Sequence, residues 1–477
     1  VVSEMAKNKT GKKKIVVASI LAALAMQAGV VADVSADEST LTLGGGKAAN
    51  GMTNGVSIGY LAESNSHQSI AIGYQALATS QYADPAQPAV AIGAGAKAPG
   101  RGGVSLGLDA KSSVRGTAIG SSTRATGFGA FAGGTYAQAT NGGDVAIGGA
   151  SSDRFDDYAV ASGGYSVAIG TAAKAEQSGA VSIGYKTNAK TSNSVAVGSE
   201  SKATGEGAVA VGRKNTATNP SASVFGILSN ATGSLATAVG METNAKGESS
   251  LAVGHKSSAS GKNGVAVGTN GTTAELGGVA VGQAAKSNKF NSVAMGMNVT
   301  ADGDNSVALG GSASANSDGA IAIGSYESTP TKATGNKALA IGSATTANGL
   351  ESIAIGSRVN STSQHSIAIG TSSTASAVKS VAIGPDSRAT VDGGVALGRD
   401  SVADVAGGTA NKGYNPNTNR TDVYSGLNGN VLTSTTGAVS IGNGSTVTRQ
   451  LTGLAAGTRD TDAVNVAQLK SVNLAFS

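Results

Sequence analysis

Small and β-branched residues alternate in a five-residue unit that recurs along most of the chain. In residues 194–198 (SVAVG) and 366–370 (SIAIG), Val or Ile alternates with Ser or Ala before a closing glycine. Alternation with a period of two predicts a β-strand that carries Val and Ile on one face and Ser and Ala on the other. The glycine predicts a turn that a Cβ would obstruct.

The closing glycine recurs every fourteen residues over much of the sequence. A second short segment, such as residues 202–204 (KAT), follows the unit. Fourteen residues therefore predict one coil of a parallel β-solenoid with two short strands, and the chain has room for about 25 such coils. The glycines with this spacing form two blocks: Gly170, Gly184, Gly198, Gly212, Gly226, Gly240, Gly254, Gly268, Gly282, Gly296, Gly310 and Gly324, then Gly342, Gly356, Gly370, Gly384 and Gly398.

The two faces of the predicted strand lead to an expectation about assembly. A coil with two inward Val or Ile side chains buries little apolar area, so a single solenoid of this kind has a thin core. A row of Ser and Ala lets a second backbone approach closely. We therefore expect a homo-oligomer with the Ser and Ala face at the subunit interface. The alternative is a monomeric solenoid with this face in solvent.

Composition agrees with many small stacked units rather than large globular cores. The 477 residues include 71 Gly but only 10 Tyr, 6 Phe and no Trp. Cysteine is absent, which excludes disulfides and thiolate sites. The formal charge of +5 lies mostly in the first 32 residues, so no basic stripe remains that would favour nucleic acid as a partner.

The N-terminus has the pattern of a signal for export. A basic stretch ends at Lys14, an apolar run covers 15–31, and small-residue cleavage candidates follow Ala32 and Ala36. We interpret 1–36 as a signal peptide and 37–50 as a lead-in to the repeats. The alternative is a transmembrane anchor, for which this apolar run is at the short limit.

The fourteen-residue unit resembles the head repeat of YadA-like trimeric autotransporter adhesins, in which Asn-Ser-Val-Ala-Ile-Gly is followed by two residues and Ser. Residues 193–201 (NSVAVGSES) follow this pattern with one change of Ile to Val. Residues 448–470 (TRQLTGLAAGTRDTDAVNVAQLK) resemble the neck of the same family. The resemblance implies an all-β, left-handed parallel β-roll, a homotrimer, and a neck that passes each chain across to its neighbour.

The resemblance also divides the chain. It implies head repeats at 51–403, an insertion in the last head turn at 404–437, the last head strand and neck at 438–463, and the start of a coiled-coil stalk at 464–477. Helix-cap candidates precede the stalk, and an apolar seam with 3-4-3 spacing follows them. The cap candidates are Asp460, Thr461 and Asp462, and the seam is Val466, Leu469, Asn473 and Phe476.

The family continues into a stalk and a C-terminal β-barrel anchor. No alternating strands of barrel length appear near the end of this sequence. We therefore expect a fragment of a longer protein, with a truncated gene product as the alternative. Contact with a membrane is expected only through that anchor.

Breaks in the repeat are candidate binding surfaces, because regular coils only build the scaffold. The breaks cover 74–90, 150–165, 325–338 and 404–437. Within the second break, Phe155, Tyr158 and Tyr165 are candidate ligand contacts, and the alternative is that they cap the solenoid.

The family resemblance also links the motif to collagen binding. The positions that would carry it are Asn193, Ser194, Val195, Ala196, Val197, Gly198 and Ser201. The same residues are needed for packing, and we favour that structural role for them.

The sequence gives no support for catalysis or for a cofactor. Residues 55–59 (GVSIG) and 103–107 (GVSLG) match Gly-x-Ser-x-Gly, but they lie in the strand repeat and not in the strand–turn–helix of a nucleophile elbow. The histidines, His67, His255 and His365, are many coils apart. We expect no metal site within one chain; three copies of His365 around a threefold axis are the alternative, less favoured than a surface turn.

These observations predict an exported adhesin head on the bacterial cell surface. Its expected partners are two further copies of itself and a host extracellular-matrix or cell-surface protein or glycan, with a collagen-like matrix protein as the leading choice. A spacer or self-association module for biofilms is the first alternative. A solenoid enzyme that cleaves polysaccharides is the second, but it needs clustered carboxylates, and the acids here are sparse.

Overall fold

A computed structural model describes residues 40–48, 54–80, 88–150, 157–324, 329–408 and 433–474. The predicted signal peptide, Phe155, Phe476 and the middle of each break lie outside these residues. The chain divides into two units, Val1–Ala245 and Lys246–Ser477. In each unit the chain winds through coils that contain one longer and one shorter strand.

The longer strands of the first unit are β1 (Leu41–Leu43), β3 (Val56–Ile58), β5 (Ile70–Ile72), β7 (Val90–Ile92), β9 (Val104–Leu106), β11 (Thr117–Ile119), β13 (Phe131–Gly133), β15 (Val145–Ile147), β17 (Val167–Ile169), β19 (Val181–Ile183), β21 (Val195–Val197), β23 (Val209–Arg213), β25 (Ser223–Ile227) and β27 (Thr237–Met241). Its shorter strands are β2 (Lys47–Ala48), β4 (Glu63–Ser64), β6 (Leu77–Ala78), β8 (Lys97–Ala98), β10 (Lys111–Ser112), β12 (Arg124–Ala125), β14 (Gln138–Ala139), β16 (Val160–Ala161), β18 (Lys174–Ala175), β20 (Asn188–Ala189), β22 (Lys202–Ala203), β24 (Thr216–Ala217), β26 (Asn230–Ala231) and β28 (Asn244–Ala245).

The longer strands of the second unit are β29 (Leu251–His255), β31 (Val265–Thr269), β33 (Val279–Val281), β35 (Val293–Met295), β37 (Val307–Gly310), β39 (Ile321–Gly324), β41 (Leu339–Ile341), β43 (Ile353–Ile355), β45 (Ile367–Ile369), β47 (Val381–Ile383), β49 (Val395–Leu397) and β51 (Val439–Ser440). Its shorter strands are β30 (Ser258–Ala259), β32 (Thr273–Ala274), β34 (Lys286–Ser287), β36 (Thr300–Ala301), β38 (Ser314–Ala315), β40 (Lys332–Ala333), β42 (Thr346–Ala347), β44 (Asn360–Ser361), β46 (Thr374–Ala375), β48 (Arg388–Ala389) and β50 (Val402–Ala403). One helix, α1 (Val466–Leu474), follows.

Neighbouring coils pair in parallel and in register. Val181 pairs with Val195, and Val195 pairs with Val209, at the predicted spacing of fourteen residues. The shorter strands form a second parallel sheet, in which Lys202 pairs with Asn188 and with Thr216. The predicted all-β parallel solenoid is confirmed.

The register survives every break in the repeat. The strand pairs that span the four breaks join residues 20, 22, 18 and 44 apart in sequence, yet each pair keeps equivalent positions of the unit opposite each other. The pairs are Ile70 with Val90, Val145 with Val167, Ile321 with Leu339, and Val395 with Val439. The extra residues of each break therefore do not shift the pairing of the strands on either side of it.

The core of each unit is a column of alanine and serine inside the coils. In the coil that contains β21, Ser194, Ala196, Ser201 and Ala203 have no exposed surface, whereas the flanking Val195 is only partly buried. The largest fully buried side chains in the described residues are valines, Val224, Val299 and Val359. The two facing strands of a coil therefore lie too close together for anything larger.

Our expectation about the two faces was wrong in its orientation. We expected Val and Ile to point inward and the Ser and Ala row to lie at a subunit interface, but the Ser and Ala row fills the interior of the same chain. Val and Ile point outward on the longer strands, and Lys, Thr and Asn point outward on the shorter strands. The physical reason is the width of the coil, because only small side chains fit between its two strands.

Each coil turns at two left-handed residues that lie seven positions apart. Asn193, Glu200 and Lys214 have φ values of 55°, 60° and 57°, and Gly207 takes the intervening position with φ 63°. Across the described residues the non-glycine members of this set have φ between 50° and 66°. Each fourteen-residue coil is thus two seven-residue halves, a regularity that the varied side chains at these positions conceal in the sequence.

The closing glycine is required because the next coil lies directly on it. Gly198 has φ 103°, and a Cβ at this position would lie 2.0 Å from the carbonyl oxygen of Gly212. No side chain fits there without separating the coils.

We expect Gly198→Ala to lower the free energy of unfolding on the order of 3 kcal/mol, because the methyl group meets backbone and φ is unfavourable. The matched control is Gly207→Asn, at a left-handed turn where a Cβ has only Ser221 Oγ nearby, at 3.9 Å. This control should change stability by less than about 0.5 kcal/mol in thermal unfolding. An equal loss of stability in the two variants would show that the close contact of Gly198 with the next coil does not require glycine.

Helix α1 begins at a cap that the sequence analysis placed too early. Asn465 Oδ1 accepts a hydrogen bond from the amide of Gln468 at 3.0 Å, and Gln468 Oε1 accepts one from the amide of Asn465 at 3.1 Å. This reciprocal pair is a capping box. The expected cap at Asp460, Thr461 or Asp462 is therefore wrong, because those residues precede the helix by several positions.

Asp462 closes a turn of the neck instead. Its Oδ2 accepts hydrogen bonds from the amides of Thr458 at 2.9 Å and Arg459 at 3.0 Å. These bonds favour the ionised carboxylate and lower the pKa of Asp462. The turn is therefore stabilised at neutral pH and loses this contribution as the carboxylate is protonated in acid.

Candidate functional site

The outer face of the longer strands is an apolar surface two residues wide within each unit. Ile353 pairs with Ile367 and Ile355 with Ile369, so each row continues from coil to coil. These side chains are partly exposed in the single chain. Soluble monomers rarely leave contiguous apolar strips of this kind uncovered.

The motif residues proposed for collagen binding divide between the interior and the surface. Ser194, Ala196 and Ser201 are fully buried, so their side chains offer no surface to a ligand. Val195, Val197 and Gly198 are partly exposed, and Asn193 is exposed in its left-handed turn. Binding through this motif is therefore limited to its outward positions.

Ser201 has a structural task that the sequence did not indicate. Its hydroxyl donates a hydrogen bond of 2.6 Å to the carbonyl of Gly212, the closing glycine of the next coil. The same bond, between residues ten or eleven apart, recurs in other coils with Ser, Thr or Asn as the donor. Examples are Thr123 to Gly134, Asn215 to Gly226, Ser229 to Gly240, Thr272 to Gly282 and Thr345 to Gly356.

The candidate aromatic residues lie in opposite turns of the coils. Tyr158 accepts a hydrogen bond of 2.9 Å from Gln138 Nε2, and its ring lies 6.2 Å from that of Tyr136. Tyr165 is 80% exposed in a left-handed turn with φ 53°. Tyr158 therefore packs against the preceding coil, whereas Tyr165 is exposed to solvent.

Tyr165 and Asn193 occupy the same turn position, two coils apart, with Gly179 between them. The Asn193 amide covers Gly179, where a Cβ would lie 2.7 Å from Asn193 Oδ1. Two sequence-predicted residues are thus brought to one side of the solenoid, about 10 Å apart at the usual strand spacing.

The sequence analysis missed a pair of stacked tyrosines. The rings of Tyr60 and Tyr74 lie 6.0 Å apart at 18°, and their exposed fractions are 63% and 53%. Both follow a closing glycine and are fourteen residues apart, which is the signal that would have found them. They form a flat aromatic surface on neighbouring coils.

A buried carboxylate holds the second break in place. Asp144 Oδ1 accepts hydrogen bonds from the amides of Gly164 at 2.9 Å and Ser166 at 3.0 Å. Its Oδ2 accepts one from the amide of Asn141 at 2.8 Å. Asp144 has no exposed surface, and it joins the coil before residues 151–156 to the coil that carries Tyr165.

We expect the isosteric change Asp144→Asn to lower the free energy of unfolding by roughly 1–3 kcal/mol, because an amide NH₂ must then replace one of the accepting oxygens. Asp109→Asn, at an exposed turn, is the matched control and should lie within about 0.5 kcal/mol of the parent. Denaturant unfolding measures both. If Asp144→Asn is as stable as the control, the carboxylate of Asp144 does not stabilise the second break.

The last head coil is capped by an arginine from the neck. The Arg449 guanidinium donates to Ser401 Oγ at 3.0 Å, to the carbonyl of Arg399 at 2.7 Å and to the carbonyl of Ile441. Its Cζ lies 3.0 Å from the position that a Cβ on Gly398 would take. Arg449 thus occupies the place that the next glycine takes on other coils.

Repeats of the YadA head domain match ten stretches that together cover more than half of the chain: 52–76, 86–110, 161–187, 189–215, 245–270, 276–298, 301–326, 333–358, 361–387 and 375–401. The coiled stalk of trimeric autotransporter adhesins matches 450–475. The chain belongs to the YadA-head family of trimeric autotransporter adhesins. The resemblance drawn from the repeat and the neck is confirmed.

Individual relatives share shorter stretches with this member of the YadA-head family. Over 41 residues, 8% of the chain, it is 63% identical to the trimeric autotransporter adhesin AtaA of Acinetobacter sp. (strain Tol 5), and the match spans 1% of AtaA. Among solved structures, the collagen-binding domain of the Yersinia adhesin YadA is 34% identical. That match covers 40% of this chain and 87% of the domain, with a TM-score of 0.30.

The described parts of this YadA-head chain hold no group of three or more His, Asp or Glu side chains that could bind a metal ion. His365 lies in a left-handed turn, with Nε2 3.4 Å from Glu351 Oε2. None of the helices there is long and apolar enough to cross a membrane.

Proposed function

We propose that this chain is the head and neck of a homotrimeric adhesin on the bacterial cell surface, which binds an extracellular-matrix or cell-surface ligand of the host. The single observation that carries the proposal is the apolar outer face of the longer strands. Membership of the adhesin family supports it.

The composition of the two outer faces indicates which of them is covered by neighbouring subunits. The longer strands present two rows of mainly Val, Ile and Leu, whereas the shorter strands present Lys, Thr and Asn. Covering the first face removes apolar area from water, and the second is suited to solvent. The subunit interface therefore lies on the Val and Ile face.

Helix α1 supports the same assembly. Val466 and Leu469 occupy two positions of the predicted seam and are 68% and 65% exposed in the single chain. A parallel three-stranded coiled coil would bury both side chains. The helix has only nine residues, so it gains most of its stability from such packing.

We expect the double variant Ile367→Lys/Ile369→Lys to abolish the trimer, because charges on the apolar face cannot be desolvated at an interface. The matched control is Thr374→Lys on the outer face of the shorter strand in the same coil, a row where other coils already carry Lys. Light scattering reports the mass, and circular dichroism reports the strands. A trimeric double variant would contradict the proposed interface.

Ligand contacts are proposed for the turns, because the longer-strand face is covered in the trimer and the alanine column is internal. Exposed aromatic and amide groups are provided by Tyr165 and Asn193, which share one row of turns. The stacked pair Tyr60 and Tyr74 provides a second exposed aromatic surface. Repetition in three chains raises the avidity of weak contacts. A collagen-like matrix protein remains the leading ligand.

We expect Tyr165→Ala and Asn193→Gly each to weaken collagen binding roughly three- to tenfold, as loss of an interface contact does. Glycine keeps the left-handed turn at 193, so only the amide is removed. The control is Tyr185→Ala, an exposed tyrosine elsewhere in the coil. Binding of the soluble trimer to collagen, fibronectin, laminin and glycans is measured.

The same panel tests the alternatives. A trimer that binds none of these ligands but associates with itself favours the spacer or self-association module. Equal binding of the three tyrosine and asparagine variants would place the ligand elsewhere on the head.

A further inference from the structure

A cleft of about 300 Å³ opens on the first unit beside the turns that follow β19, β21 and β23. It is lined by Lys186, Glu200, Lys202, Lys214 and Thr216. These residues come from three consecutive coils, so the regular stacking of the solenoid builds the cleft.

The lining residues form two adjacent rows. Lys186, Glu200 and Lys214 occupy the same left-handed turn position, with φ values of 54°, 60° and 57°. Lys202 and Thr216 are paired neighbours on the shorter strands. At the usual strand spacing, Lys186 and Lys214 are about 10 Å apart, with Lys202 beside the midpoint.

The cleft carries an excess of positive charge. Glu200 Oε2 lies 3.7 Å from Lys214 Nζ, so the one carboxylate of the lining offsets one of its three lysines and leaves Lys186 and Lys202. Lys186 Nζ lies 5.0 Å from the centroid of the Tyr185 ring. A hydrogen bond to Tyr185 raises the pKa of Lys186, and the carboxylates of Asp157 and Glu200 act in the same direction. A concave surface with unbalanced lysines attracts anions.

The cleft lies on the side of the coil that the proposed trimer leaves open. Ala196 and Ala203 both point into the interior, so Val195 and Lys202, their neighbours in the two strands, point to opposite outer faces. Assembly through the Val and Ile face therefore does not cover Lys202, which lies beside the midpoint of the cleft.

We propose that this cleft binds the sulfate groups of an acidic polysaccharide. Three lysines across three coils suit a ligand that presents several anionic groups in succession, more than a single free anion. Nucleic acid also needs aromatic surface for its bases, whereas the ring of Tyr185 is already engaged by Lys186. The inference rests on the proposed function only in placing the chain outside the cell.

The test is binding of the soluble chain to heparin, with desulfated heparin and single-stranded DNA as comparison ligands. Lys202→Gln should weaken heparin binding roughly two- to fivefold, as loss of one exposed ion pair does, and Lys186→Gln/Lys202→Gln should weaken it further. Glu200→Gln removes the acid from the cleft and should strengthen binding roughly threefold. High salt should weaken binding by the parent.

The matched control is Lys286→Gln, at the same outward position of a shorter strand but between Thr273 and Thr300. It should leave heparin binding unchanged. Equal losses for Lys202→Gln and Lys286→Gln would mean that net charge alone attracts heparin, and this result would overturn the proposal.

Three further outcomes test the ligand class and the role of the cleft. Binding to desulfated heparin or to single-stranded DNA as tight as to heparin would overturn the ligand class. Loss of the trimer in Lys186→Gln/Lys202→Gln, seen by light scattering, would make the cleft a subunit contact and overturn the proposal. A trimer of unchanged mass that has lost heparin binding but still binds matrix protein would support it, independently of the matrix site.

Discussion

The structure depends on the distance between the two strands of each coil. Their inner faces lie so close that alanine and serine fill the interior, and valine is the largest side chain that is fully buried in the described residues. Such a core holds little apolar volume per coil, so much of the cohesion comes from the ladders of backbone hydrogen bonds between coils. Hydroxyl groups such as that of Ser201 add further bonds along the same direction.

A narrow interior places the larger apolar side chains on the outside. Valine and isoleucine therefore line the outer face of the longer strands, and a chain with this surface favours association with copies of itself. The shorter strands, with Lys, Thr and Asn outward, remain suited to solvent. One alternating pattern thus separates an apolar outer face, where we propose that the trimer forms, from a polar outer face and two rows of turns, where we propose that ligands bind.

Single polar side chains stabilise the chain where the regular coil is interrupted. Asp144 provides acceptors for amides on both sides of the second break, and Arg449 occupies the place that the next closing glycine would take over Gly398. In both places backbone groups would otherwise lack the partners that stacking provides elsewhere. These side chains allow the scaffold to carry exposed residues such as Tyr165 without losing its register.

The sequence by itself determined the strands, the fourteen-residue coil, the parallel register and the family, because each depends on local alternation or on spacing. It also identified Tyr165 and Asn193 as candidates. The tertiary structure alone decided which face lies inside: alternation assigns Ala196 and Val195 to opposite faces, but the distance between two strands selects the smaller one for the interior. It likewise revealed the bonds of Asp144, the cap at Asn465 and the lysine cleft, since these join residues that are brought together only when one coil is stacked on another or a loop folds back.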